Sequence, residues 1–91
     1  MTLNDLYQTI LDRKTNPKPG SYTNSLFDDG LPRMAQKVGE EGTEVVVAAL
    51  AQDNARLAEE IADLTYHVLV LMAAKGLSPQ DVMEELGRRH K

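Results

Sequence analysis

Two stretches of this chain, Pro32 to Ala51 and Ala55 to Lys75, are apolar most of the way round a helix, and only Gln52, Asp53 and Asn54 join them. Helical spacing puts Met34, Val38, Val45 and Ala48 on one stripe of the first, with Val46, Val47, Ala49 and Leu50 beyond it. The second carries Leu57, Ile61, Leu64, Val68 and Leu71, plus Leu69, Val70 and Met72. So short a connection makes the two helices antiparallel neighbours. Everything else must pack around that pair.

The helix ends are signalled locally. Pro32 suits a first helical position, Asp53 or Asn54 caps the second long helix, and Gly76 stops it with Lys75 at its negative end. Upstream, Thr2 to Lys14 repeats Leu3, Leu6, Tyr7, Ile10 and Leu11 at intervals of three and four, with Thr2 or Asn4 as cap. Ser78-Pro79-Gln80-Asp81 starts a final helix. Between the first two helices, Thr15 to Leu31 is rich in Asn, Asp, Pro and Gly and reads as one long loop. No alternating pattern competes, so the expectation is one all-α domain, a four-helix chain with two long antiparallel central helices.

A chain of 91 residues buries only about 60% of its unfolded surface, and with no cysteine it has no disulfide to help. Two short helices cannot cover two long ones that are apolar nearly all round. A second copy is the simplest cover, which predicts a homodimeric helical bundle. The formal charge of -4 offers no footprint for nucleic acid or an anionic membrane. Met1 to Leu11 lacks the pattern of a signal peptide, and the apolar run Val68 to Ala74 is too short to span a bilayer. The expected setting is the cytosol, without nucleic-acid or membrane partners.

Against this apolar background the acids stand out. Glu41 interrupts the stripe between Val38 and Val45, where an uncompensated carboxylate is costly. Glu44 follows on the flank of that stripe, and Lys37 lies four residues before Glu41. Glu60 and Asp63 repeat the three-residue spacing on the second helix, with His67 four residues further on. Counted outward from Asp53, both pairs lie about 13–16 Å from the turn at 1.5 Å per residue, so the four carboxylates can converge. Two such charges about 5 Å apart repel by about 3 kcal/mol at an effective dielectric near 20.

Cations must therefore bind there, and oxygen-only ligands select a hard ion, Mg²⁺ or Mn²⁺. Such a site suits phosphoanhydride cleavage: the ion offsets phosphate charge and acidifies a water, and an unligated carboxylate serves as general base. Di-iron bundles use Glu-x-x-His, whereas the residue three after Glu60 is Asp63. Acids at helical spacing usually face solvent. The matching height of two pairs, one set inside an apolar stripe, outweighs that reading for Glu41, Glu44, Glu60 and Asp63, but not for Glu40. His67 by itself reads as a structural or surface histidine.

Lys37-Val-Gly-Glu-Glu-Gly-Thr-Glu44, followed after fifteen residues by Glu60-Ile-Ala-Asp63, resembles the E-x-x-E and E-x-x-D signature of the all-α NTP pyrophosphohydrolases, the MazG-like group. Within it the likeness narrows to the phosphoribosyl-ATP pyrophosphatases of histidine biosynthesis. The narrowing features are Ser21-Tyr22-Thr23 with Leu26-Phe27 and Gly30, then Gln36 to Glu41, Asp63 to His67, and Gly76-Leu77-Ser78. The resemblance implies a dimeric bundle that cleaves 1-(5-phospho-β-D-ribosyl)-ATP with Mg²⁺ to phosphoribosyl-AMP and diphosphate, the second step of L-histidine biosynthesis.

It further implies that Glu41, Glu44, Glu60 and Asp63 are the metal-binding and catalytic residues, that Lys37 meets phosphate, and that the Ser21-Tyr22-Thr23 loop closes over substrate. Arg33 keeps the charge of an expected lysine and is assigned to substrate as well. Gly42 and Thr65 stand where alanine and leucine are expected. A cyclohydrolase domain sometimes fused to this enzyme has no counterpart here, so the stand-alone form is expected. Two rivals remain: a housekeeping pyrophosphatase acting on other nucleoside triphosphates, which shares the four acids, and a non-catalytic helical dimerisation module.

Overall fold

The computed structural model of the chain describes residues 1–90. It contains helices α1 (Leu3–Thr15), α2 (Tyr22–Asp29), α3 (Leu31–Ala51), α4 (Asn54–Lys75) and α5 (Pro79–Arg89), and no strand among the described residues. The all-α expectation holds. The four-helix count does not, because a fifth helix lies inside the stretch read as a loop.

Local chemistry accounts for each end. Thr2 and Asp5 form a reciprocal capping box at α1, with N–H to oxygen distances of 2.9 and 3.0 Å, and Ser78 and Asp81 repeat it at α5, at 2.8 and 3.2 Å. Asp53 accepts the Arg56 backbone N–H at 2.9 Å to start α4. At its other end Gly76 adopts φ +76°, the left-handed region, and lets the Leu77 N–H reach back to the Met72 carbonyl at 2.9 Å.

Helix α2 was hidden by its own composition. Asn24, Asp28 and Asp29 are turn formers, and eight residues are too few to show a period or to be stable alone. Tertiary contacts decide the matter. Ser21 caps the helix by accepting the Asn24 N–H at 3.2 Å, and the Asn24 side chain donates to the Arg13 carbonyl at 2.7 Å while accepting the Lys18 N–H at 2.9 Å. Leu26, only 2% exposed, anchors the helix in the core. Gly30, at φ +92°, then turns the chain directly into α3.

The core gathers Tyr7 and Ile10 from α1, Leu26 from α2, Met34 from α3, and Leu69, Val70, Met72 and Ala73 from α4. Gln52 and Asp53 alone separate α3 from α4, and these two helices share the largest contact in the fold. Their apolar surface is covered at the end remote from the turn. Nearer the turn Val46, Val47, Leu50 and Ile61 remain exposed, as do Val82, Met83 and Leu86 on α5. Among the described residues no single helix is long and apolar enough to cross a membrane.

If α2 is held by burial, truncating its anchor must register globally. Leu26→Ala is expected to lower stability by about 2–4 kcal/mol, read as a reduced urea midpoint at unchanged slope. A change below about 0.5 kcal/mol, the level of an ordinary surface substitution, would show that α2 is an appendage.

Candidate metal centre

Glu41 on α3 and Glu60 on α4 face inward and are only 6% and 3% exposed. Glu41 sits where helical spacing expects a hydrocarbon side chain, and the structure shows Glu60 equally enclosed. Together with the exposed Asp63, they bring one carboxylate oxygen apiece within 4.8 Å of one another. The short α3–α4 connection sets this height, as the spacing predicts. Glu44 is not part of that group; it lies on the surface in a small cleft with Val47, Gln52, Arg56 and Glu60. The structure thus brings together three of the four predicted carboxylates and leaves the fourth on the rim.

Each buried carboxylate has one oxygen on a cation of its own helix. Lys37 Nζ lies 3.2 Å from Glu41 Oε1, and Arg56 donates to Glu60 Oε1 at 2.7 Å and to Glu59 Oε2 at 2.7 Å. The second oxygens, Glu41 Oε2 and Glu60 Oε2, are buried with no hydrogen-bond partner among the described residues. Orphaned charged oxygens in a protein interior carry the full cost of lost hydration. Two such atoms beside a third carboxylate form a donor set for a hard divalent cation, and the residues present therefore fit one.

Neighbouring charges reinforce this polarity. Burial draws the Lys37 ammonium toward a lower pKa, but its hydrogen bond to Glu41 and the proximity of Tyr22, Glu41 and Glu40 outweigh that, so its pKa stands above the ordinary lysine value. The Arg56 guanidinium is held charged first by its hydrogen bond to Glu59 and then by Glu60. Glu40 is solvated as expected, with its carboxyl held low by hydrogen bonding from Gln36 and by Lys37 and Arg33. Arg33 itself stands 3.7 Å from Glu40.

The Ser21-Tyr22-Thr23 segment reaches the same region as the first turn of α2 rather than as a loop. Ser21 is committed to the cap; the Tyr22 hydroxyl is 2.9 Å from His67 Nε2, and the Thr23 hydroxyl pairs with that of Tyr66. His67 Nδ1 lies 2.7 Å from the Asp63 carbonyl oxygen. The rings of Tyr22, Tyr66 and His67 form one cluster with centroids 5.0–6.2 Å apart. Arg56, Tyr66 and the connection through His67 were not among the residues the sequence singled out for the site. Arg56 had a legible signal, since it precedes Glu60 by four residues as Lys37 precedes Glu41.

Comparison with known proteins identifies the family of the chain. The profile of the family described as Phosphoribosyl-ATP pyrophosphohydrolase matches residues 3–90. A phosphoribosyl-ATP pyrophosphatase of Sulfurisphaera tokodaii is 55% identical over 89 residues, covering 98% of this chain and 95% of its own length. One from Listeria welshimeri is 55% identical over 87 residues, covering 96% of this chain and 84% of its own. Another, from Saccharolobus solfataricus, is 48% identical over 89 residues, covering 98% and 95%. With the match extending through all five helices, the chain belongs to the phosphoribosyl-ATP pyrophosphohydrolase family of hydrolases.

Proposed function

We propose that this chain hydrolyses 1-(5-phospho-β-D-ribosyl)-ATP to phosphoribosyl-AMP and diphosphate, the second step of L-histidine biosynthesis, with Mg²⁺ or Mn²⁺ at the α3–α4 acidic centre. The observation that carries the metal reading is the pair of buried, unpartnered oxygens on Glu41 and Glu60. Family membership carries the substrate.

Glu41, Glu60 and Asp63 would hold the ion. When bound, it supplies charge to offset the phosphoanhydride oxygens and lowers the pKa of an attacking water. Glu44 belongs to the same centre by its spacing. As it stands on the open rim, it is the carboxylate free to accept a proton from water. Lys37, held fully charged by Glu41, is placed to meet a phosphoryl oxygen, and the α2 turn carrying Ser21, Tyr22 and Thr23 contacts the remainder of the nucleotide. Arg33, two turns before Glu41 on α3 and paired with Glu40, extends the positive rim for the same polyanion.

The working form is a homodimer in the cytosol. Val46, Val47, Leu50 and Ile61 form an exposed apolar area near the α3–α4 turn that a second copy would cover. The absence of cysteine suits a reducing compartment.

Metal dependence and substrate choice are separately testable. Mg²⁺ or Mn²⁺ titration should raise the melting temperature, because an ion at a hundred times its Kd adds about 2.7 kcal/mol to the folded state. Glu60→Gln should abolish that rise while leaving the metal-free protein folded and no less stable, since one of the crowded charges is gone. A metal-induced rise that persists in Glu60→Gln would remove the site.

In the enzyme assay, Glu44→Gln and Asp63→Asn should each lose at least about a hundredfold in kcat, the usual scale for general-base and electrostatic groups. Full activity in both would end their catalytic assignment. Diphosphate release from phosphoribosyl-ATP should exceed release from ordinary and damaged nucleoside triphosphates. Equal turnover of an ordinary triphosphate would favour the housekeeping pyrophosphatase that shares the same acids.

A further inference from the structure

His67 is buried at 7% exposure, whereas the Tyr22 side chain above it belongs to a residue that is 50% exposed. The contacts around the ring place one proton outright and, for the neutral imidazole, a second. A backbone carbonyl can only accept, so the 2.7 Å contact between His67 Nδ1 and the Asp63 oxygen requires the proton to be on Nδ1. In the neutral ring Nε2 then bears a bare lone pair and must accept from the Tyr22 hydroxyl at 2.9 Å. With its only proton committed to His67, the Tyr22 oxygen has nothing but lone pairs to offer.

That oxygen is not free to swing away. The Tyr22 ring lies against Tyr66 at 6.2 Å with 28° between planes, and meets His67 edge-on at 5.7 Å. Thr23, the next residue, is tied to Tyr66 through the hydroxyl pair. The chain of contacts therefore runs from the backbone of one acidic residue, Asp63, to the exposed rim.

We propose that His67 is a positioning residue that turns the Tyr22 hydroxyl into an obligate hydrogen-bond acceptor, selecting a hydroxyl or amino donor of the nucleotide rather than a phosphoryl oxygen. The chemical distinction is strict. A phosphoryl oxygen presents only lone pairs and gains nothing from a second acceptor, whereas a sugar hydroxyl or a base amino group can donate. Phosphate recognition falls to Lys37, and Tyr22 reads the part of the substrate that is not phosphate. This assignment rests on the nucleotide-hydrolysing reading above, but its proton geometry does not.

The chain has only two histidines, so nitrogen-15 NMR of histidine-labelled protein resolves the ring directly. The expected spectrum shows His67 protonated on Nδ1 with Nε2 bare, and Tyr22→Phe shifts the Nε2 resonance without moving His90. A protonated Nε2, or an Nε2 resonance indifferent to Tyr22→Phe, overturns the proposal whatever the enzyme does.

Kinetics test the role. Tyr22→Phe and His67→Phe should each raise the KM for phosphoribosyl-ATP about tenfold, the scale of one hydrogen bond, with kcat less affected. The double variant should be no worse than Tyr22→Phe alone, because His67 acts only through the Tyr22 hydroxyl. His67→Gln, which keeps one donor and one acceptor, should restore most of the loss. Inhibition by inorganic diphosphate should be unchanged in every variant. Multiplicative losses, or diphosphate inhibition weakened as much as substrate binding, would overturn the assignment. If His67→Phe does not fold, Tyr22→Phe at its half-exposed position still decides both the spectrum and the KM. A wild-type protein inactive on phosphoribosyl-ATP would instead sink the proposed function and leave the NMR result standing.

Discussion

Two glutamates buried against each other across one helix pair are the constraint around which this fold is arranged. Glu41 and Glu60 are both buried in the helix interface, where hydrocarbon side chains normally pack, and Asp63 adds a third carboxylate at the edge. An apolar residue at either position would remove this electrostatic cost. What tolerates the charge is a division of labour between oxygens. One oxygen of each glutamate takes a cation from its own helix, Lys37 or Arg56, and the other is left without a hydrogen-bond partner among the described residues. Local ion pairing therefore offsets part of the cost without closing the centre.

The pairing cations differ in a way that bears on their roles. Lys37 is the more enclosed and is held by several negative groups, whereas the Arg56 guanidinium is half exposed and divided between Glu59 and Glu60. An exposed arginine divided between two carboxylates is held less firmly than an enclosed lysine, yet it is the cation that offsets the buried charge of Glu60. A lysine shared by Glu41 and the Tyr22 surroundings stays where a polyanion would meet it. The two ends of the cluster are thus unequal: the Glu60 side is paired with an exposed arginine shared with Glu59, and the Glu41 side with an enclosed lysine.

The part of this legible in sequence is the part governed by local periodicity. Glu41 breaks a stripe of Met34, Val38, Val45 and Ala48, and the short connection Gln52-Asp53-Asn54 sets its height against Glu60 from spacing alone. The capping boxes at Thr2 and Ser78 follow from side-chain chemistry within four residues. Helix α2 was illegible for the converse reason. Its stability comes from Leu26 in a core built by three other helices and from hydroxyl contacts to Tyr66 and His67, more than forty residues away. Turn propensities at Asn24, Asp28 and Asp29 were real but were overridden by packing. Glu44 shows the remaining limit: spacing places a residue on a helix flank, but whether its carboxylate reaches the centre or stays on the rim depends on side-chain rotation that spacing does not encode.

These two kinds of information map onto two kinds of chemistry. Acids on α3 and α4 are set by rigid helical geometry and by a two-residue turn, which suits a task that tolerates little positional error, such as binding a metal ion and directing water. Recognition of the rest of a nucleotide needs a surface that can differ while the acids stay put. Helix α2 supplies it, because it is anchored to α4 through side chains rather than through the α3–α4 turn. On the proposed function, substrate choice therefore lies with the segment between α1 and α3. In this chain that segment is not an independent loop, because its Tyr22 is bound through His67 to the backbone of Asp63, so a change in α2 is felt at the residue where the acidic centre meets solvent.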